Sequence, residues 1–231
     1  TPAYIYSRTR ESAEQLSERL RDVPYSTDIS RVPTDGDLYI FAVKDSALLD
    51  LVSRMPSNRG LWVHTAGSMD MEVFAPYTAR YGVFYPMQTF SKERETDFDD
   101  IPIFVETNHT DDTERLQKLA GRLSTKGYEA TSEQRKYLHL AAVFACNFSN
   151  HLYALCDRIL SEHGLPFETM LPLIRETAAK VADMPPAQAQ TGPAIRYDKN
   201  VIDKQMALLS DPTMRQIYDL MSRSIHETNK H

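Results

Sequence analysis

Basic residues are in deficit in this 231-residue chain: 26 Lys and Arg stand against 32 Asp and Glu, for a formal net charge of −6. That deficit removes the basic footprint on which non-specific nucleic-acid binding depends, so no nucleic-acid partner is expected. No apolar run approaches the roughly 20 residues that a helix needs to cross a bilayer, and no signal pattern opens the chain, so no membrane partner is expected. Cysteine is scarce. Cys146 and Cys156, ten residues apart on one helical pattern, would sit about 15 Å from each other, too far for a disulfide. They also lack metal-ligand spacing, so buried reduced thiols, a cytoplasmic location and no metal are expected. No Ser-His-Asp order, Cys-His signature or H-E-x-x-H pattern points to a hydrolase. Glycine is scarce as well, eight in all, and no G-x-G occurs anywhere.

What is present is an ordinary globular composition, 42% hydrophobic and 25% charged, written in two grammars. Up to about residue 131, short β-rich runs alternate with helical patterns. Strands are predicted at 3–6, 38–43, 61–65, 81–85, 103–106 and 128–130, with helices at about 10–21, 46–55 and 110–124. The central runs are continuously apolar, as in strands covered on both faces, which implies an α/β fold with a mostly parallel sheet. From Ser132 onward only helical patterns remain, over 133–162, 168–182, 197–210 and 212–227, with stops at His163-Gly164-Leu165-Pro166, Met184-Pro185-Pro186 and Asp211-Pro212. Two domains are therefore expected, 1–131 and an all-helical 132–231, with a ligand crevice at the carboxyl ends of the strands.

The run Leu138 to Tyr153 is apolar all round a helix, which predicts burial on most sides. It nevertheless carries two imidazoles and two carboxamides. At about 100° per residue, Asn150 falls about 20° from His139, and Asn147 and His151 widen the arc to roughly 120°. Four such groups on one stripe need partners, water or a ligand. His139, Asn147 and Asn150 are accordingly the candidate catalytic residues, and His151 is a candidate for substrate contact.

Ser7-Arg8-Thr9 follows the first strand directly. An acid at such a strand end would bind ribose hydroxyls, whereas an Arg suits the 2′-phosphate of NADP; a solvated turn with Thr9 as N-cap is the competing reading. A dinucleotide cradle also needs a Gly-rich turn after a first strand. Either a strand-turn-helix unit lies outside this numbering, or the domain lacks that cradle and binds dinucleotide poorly. His64-Thr65-Ala66-Gly67-Ser68 and Tyr85-Pro86-Met87-Gln88 end two further strands on the crevice side. His64, Ser68 and Gln88 are candidates for substrate contact, although a lone His at a strand end is more often structural. Thr191, in the Gly-Pro turn Gln190 to Asp198, is another, set against a rigid interhelical turn in which Arg196 and Asp198 simply pair.

Together, Tyr6 to Thr9, Ala42 to Asp45, His64 to Ser68, Gly82 to Ser91, His139 to Phe144, Asn147 to His151 and Gln190 to Asp198 resemble one family. It is the bacterial Rossmann-like NADP oxidoreductases with a helical C-terminal domain of unknown function. The broader group resembles the pyrroline-5-carboxylate reductase, ketopantoate reductase and hydroxyisobutyrate dehydrogenase superfamily. The resemblance implies that NADP binds the first domain, with Ser7, Arg8, Thr9, Val43, Lys44, Thr65 and Gly67 as its contacts. It further implies that the helical domain completes the site and forms a homodimer. Two departures stand out. The first strand and Gly-rich turn are missing from the numbering, and Val143 stands where the hydroxy-acid dehydrogenases carry a Lys four residues before their Asn, aligned here with Asn147. A valine moves no proton, which leaves His139 to serve as general acid. Two functions follow as expectations: an NADP(H)-linked reductase of a small carbonyl or imine, or a non-catalytic NADP-binding or sensing protein whose helical domain dimerises. A His139 face filled by protein side chains would favour the second.

Overall fold

The computed structural model describes residues 2–91 and 94–229. The chain divides into two compact units, Thr1–Asn147 and Phe148–His231.

In the first unit, β1 (Ile5–Tyr6) leads into α1 (Arg10–Arg19) and then pairs in parallel with β2 (Tyr25–Ser26). β2 escaped the sequence reading because a two-residue strand carries no period. Thr9 occupies the N-cap position of α1 but gives it no side-chain cap; its Oγ1 donates to Ser12 Oγ at 2.9 Å. A second sheet holds β3 (Leu38–Phe41), β4 (Leu61–His64), β5 (Tyr81–Pro86), β6 (Ile103–Thr107) and β7 (Gly127–Glu129), in that order. All neighbours are parallel except β5 and β6. No helix is described between those two strands, so the chain makes no crossover and returns antiparallel. α2 (Asp45–Ser53) follows β3, and α3 (Thr110–Leu123) follows β6.

Alternation gives the sheet two different faces. Leu61, Val63, Phe84, Ile103 and Val105 pack with Leu116 and Ala120 of α3. Trp62 and Tyr81 turn the other way and pack with Phe41, Phe74 and Leu48, Leu51 and Val52 of α2. His64, in register with Val83 and thence Glu106, shares that second face.

α4 (Ser132–Ala142) opens with a full capping box, Thr131 accepting from Gln134 N and Gln134 Oε1 accepting from Thr131 N. A π-helical turn, Val143–Phe148, replaces the uninterrupted helix expected there. In the second unit α5 (Ser149–Glu162), α6 (Leu171–Asp183), the short α7 (Pro186–Ala189), α8 (Lys199–Leu208) and α9 (Pro212–Thr228) follow. Asp211 caps α9, accepting from Thr213 N and Met214 N.

The expected burial of the 138–153 run is overturned. No residue from 136 to 193 is buried, and Leu140, Phe144 and Phe148 are 53%, 62% and 51% exposed. Apolarity around the whole circumference marks surface meant for cover, but a sequence does not say whether its own chain provides that cover. For the same reason Cys146 is exposed and Cys156 only half-buried, where buried thiols were expected. Among the described residues, no helix is long and apolar enough to cross a membrane.

Candidate active site

The first unit builds its polar site where α4 meets the second sheet face. Arg135 is wholly enclosed. Its Nη1 donates to Glu106 Oε2 at 2.7 Å, and its Nη2 donates to the Met69 carbonyl at 2.6 Å and to Ser132 Oγ at 3.1 Å. Ser132 adds its backbone N–H and hydroxyl to the two oxygens of Glu106, at 2.8 and 2.7 Å. Its hydroxyl also accepts from Met71 N at 3.2 Å. One ion pair thus ties β6, the first turn of α4 and the loop after β4 together. Arg135 Nε stays without a partner.

This tie fixes what comes one turn later. Four residues of helix rise about 6 Å and two residues of strand about 6.6 Å, so Arg135 at the level of Val83 and Glu106 puts His139 at the level of Tyr85. Tyr85 Oη lies 3.4 Å from His139 Nδ1, with ring centres 6.5 Å apart and planes at 63°. Gly67 closes the group from the loop after β4. A Cβ there would stand 2.8 Å from His139 Nδ1 and 2.9 Å from Tyr85 Oη, so only glycine leaves the two atoms their common space. The His139 side remains exposed to solvent. Burial raises the Tyr85 pKa above its ordinary value, keeping the phenol protonated; the Arg135 charge opposes that and Cys146 adds to it.

His64 takes a different part from the one expected. It is wholly buried, its Nδ1 accepts from Ala66 N at 3.2 Å, and its Nε2 faces the Asp70 carbonyl at 3.4 Å. Burial first, and the nearby Arg135 charge second, push its pKa down to about 4, so the ring is a neutral brace for the loop 64–70 and is closed to substrate. Thr65 is half-buried and Gly67 buried in that loop. Ser68 Oγ donates to Asp45 Oδ2 at 2.5 Å, linking the loop to the first turn of α2.

The other expected residues are spread around this centre. Val43 and Lys44 are exposed between β3 and α2, and Lys44 is the N-cap residue of α2. Ser7 is half-buried and Arg8 exposed, directly after β1. Arg8 has no hydrogen-bond or ion-pair partner among the described residues. Gln88 is exposed, and its Oε1 accepts from Thr89 N at 2.8 Å. Asn147 is exposed on the π-helical turn. In the second unit, Asn150 and His151 are exposed on α5 and Thr191 is exposed in the turn before α8. That turn is braced by Tyr197, whose φ of 49° lies in the left-handed region. Its ring stacks on His226 at 4.7 Å, and His226 Nδ1 meets the Ile195 carbonyl at 3.0 Å. Asp198 caps α8, accepting from Val201 N at 3.4 Å, rather than pairing with Arg196.

The sequence reading missed Arg135 and Ser132, which look like surface residues in a polar helical turn, and Glu106, which looks like the solvated end of a strand. The alternation of buried Ile103 and Val105 with Phe104 and Glu106 was the available signal, since it puts an acid on a covered sheet face. Among the described residues, no cluster of three or more His, Cys, Asp or Glu is placed to hold a metal.

Residues 101–225 match the family described as "Domain of unknown function (DUF2520)". No curated protein matches the sequence. A solved structure from Bacteroides fragilis, a "putative NADP oxidoreductase", is 51% identical over 98% of this chain and 88% of its own, with a TM-score of 0.89. A protein from Thermotoga maritima is 23% identical over 98% of this chain and 90% of its own, with a TM-score of 0.75. The reductive aminase of Aspergillus terreus, in complex with NADPH and ethyl-5-oxohexanoate, shares the fold at 14% identity, covering 98% of this chain and 86% of its own, with a TM-score of 0.71.

Proposed function

This chain belongs to the DUF2520 family, and from that premise we propose that it is an NADP(H)-dependent oxidoreductase reducing a small carbonyl or imine. The observation that carries the reading is the exposed His139 imidazole held against Tyr85 and Gly67 at the carboxyl end of β5. In open α/β sheets this end of the strands is where ligands sit. A His139 face filled by protein side chains would have favoured the sensing alternative, whereas His139 is exposed.

The residues present fit NADP(H) in charge and chemistry. Arg8, exposed, beside the Ser7 and Thr9 hydroxyls and without a hydrogen-bond or ion-pair partner among the described residues, suits a 2′-phosphate. Val43, Lys44, Thr65 and Gly67 stand after β3 and β4, where backbone is open to a ligand. Bound, the cofactor supplies a hydride to the carbonyl or imine carbon. His139 supplies the proton at oxygen or nitrogen, and Asn147 orients the substrate by a hydrogen bond. Ser68 and Gln88 contribute further polar contacts. The 51% identical relative supports the cofactor class.

The test is NADPH oxidation with a panel of small oxo acids and cyclic imines. His139→Gln should lower turnover by roughly 10²–10⁴-fold while leaving NADPH affinity unchanged. Wild-type turnover in His139→Gln, or no turnover with any panel compound, would overturn the reading.

A further inference from the structure

The hydroxyl of Tyr85 and Nδ1 of His139 share a space that exists only because residue 67 has no side chain. The imidazole does not reach that space by chance of a loop. It sits one turn beyond Arg135, which a buried ion pair locks to Glu106. Nε2 of His139 has no partner among the described residues, so the two ring nitrogens have different environments: one faces a phenol and the other faces solvent.

A phenol is both donor and acceptor, and this decides what it can do for a neighbouring imidazole. From the Nδ1–H of the imidazolium it accepts a hydrogen bond, and it accepts the same bond from the neutral ring whose remaining proton is on Nδ1. A carboxylate in that place would favour the cation by charge and hold the proton back. An uncharged hydroxyl orients the ring in either state without that bias.

We propose that Tyr85 is a positioning residue for His139. Its hydroxyl keeps Nδ1 engaged in both protonation states, so that Nε2 is always the nitrogen that exchanges a proton with substrate. This rests on the reading of His139 as proton donor. In the step, the Nε2 proton of the imidazolium would pass to the substrate oxygen or nitrogen as the adjoining carbon takes up the hydride that a bound NADPH would supply, the cofactor being oxidised to NADP⁺ and the substrate reduced. The ring would be left neutral, with its remaining proton on Nδ1 hydrogen-bonded to Tyr85. Water then restores the proton to Nε2. Gly67 is part of the same device, since a methyl there separates the pair.

The test has two arms. In the first, long-range ¹H–¹⁵N correlation spectra of labelled protein report which nitrogen of neutral His139 carries the proton, with His139→Gln identifying its signals. Wild-type protein should show the Nδ1–H form, and Tyr85→Phe should raise the Nε2–H share about fivefold, the worth of one ordinary hydrogen bond. An unchanged ratio overturns the proposal whether or not a substrate is in hand. In the second arm, with a turned-over compound from the panel, Tyr85→Phe should lower kcat about fivefold or more, with KM within a factor of two. It should not lower kcat further in a His139→Gln background. Equal losses in both backgrounds would show that Tyr85 does not act through His139, and that also overturns the proposal. Full activity in His139→Gln would instead sink the donor assignment itself, leaving the spectra to decide the Tyr85 contact.

Discussion

His64 shows how an ionisable side chain at a strand end becomes a structural one. Both its nitrogens are engaged by backbone groups and the fold holds its pKa down to about 4 from an ordinary 6.5. The folded state therefore prefers the neutral ring. That contribution is fully present above about pH 6.5, is lost as the pH falls from there toward about 4, and changes no further below. Its full size is on the order of 3 kcal/mol. Urea denaturation at pH 7.5 and pH 5 should show wild-type protein losing much of this, and His64→Gln should flatten the dependence. Parallel curves for the two proteins would contradict the assignment. Arg8 makes a second case at the same scale. If it holds the 2′-phosphate, NADPH should bind in preference to NADH, and Arg8→Ala should cost about 1.5–3 kcal/mol of NADPH binding and remove the preference. Equal NADPH affinities by calorimetry would end that assignment.

Among the elements, α4 is the one whose placement sets the site. Its capping box fixes where it begins, and Arg135 fixes which level of the sheet it meets. A buried ion pair is costly to break by halves, because the remaining charge has neither water nor partner. Glu106→Ala or Arg135→Leu alone should therefore destabilise the protein by about 3–5 kcal/mol, and the paired replacement Glu106→Leu with Arg135→Leu should cost less than either. Urea midpoints of the three variants decide this, and additive losses would refute it. A second ion pair, between Arg80 and Asp112, braces the start of β5 against α3. The Arg80 hydrogen bonds hold the Asp112 carboxyl below the usual carboxylate range.

For the whole molecule, the distribution of buried residues is uneven. The sheet unit has a core cluster on each face of its sheet, whereas in the second unit burial is confined to Ala194, Ile202, Met214 and Ser222 among the described residues. Leu140 and Phe144 are exposed in the first unit, and Phe148, Leu173 and Leu220 are exposed in the second, the last two at 63% and 62%; large apolar side chains left in water are candidates for cover by a partner. The expected outcome is a homodimer with helical residues at its interface, and sedimentation at tens of micromolar measures it. A monomer with cooperative unfolding would count against it.

The sequence by itself determined the alternation of strands and helices in the first part and the all-helical remainder. These follow from local periodicity, capping and turn chemistry, which neighbouring residues decide among themselves. It also marked Gly67 and Tyr85 as strand-end residues, though not as partners of one imidazole. Tertiary structure alone decided that β6 runs against β5, that Arg135 and Glu106 are a buried pair, that His64 is a brace, and that the 138–153 run is exposed. Each of those depends on what lies opposite a residue rather than beside it. A helical Arg in a polar turn reads the same whether it ends in water or on a carboxylate nearly thirty residues away. An apolar helix likewise reads the same whether its cover comes from its own chain or from elsewhere.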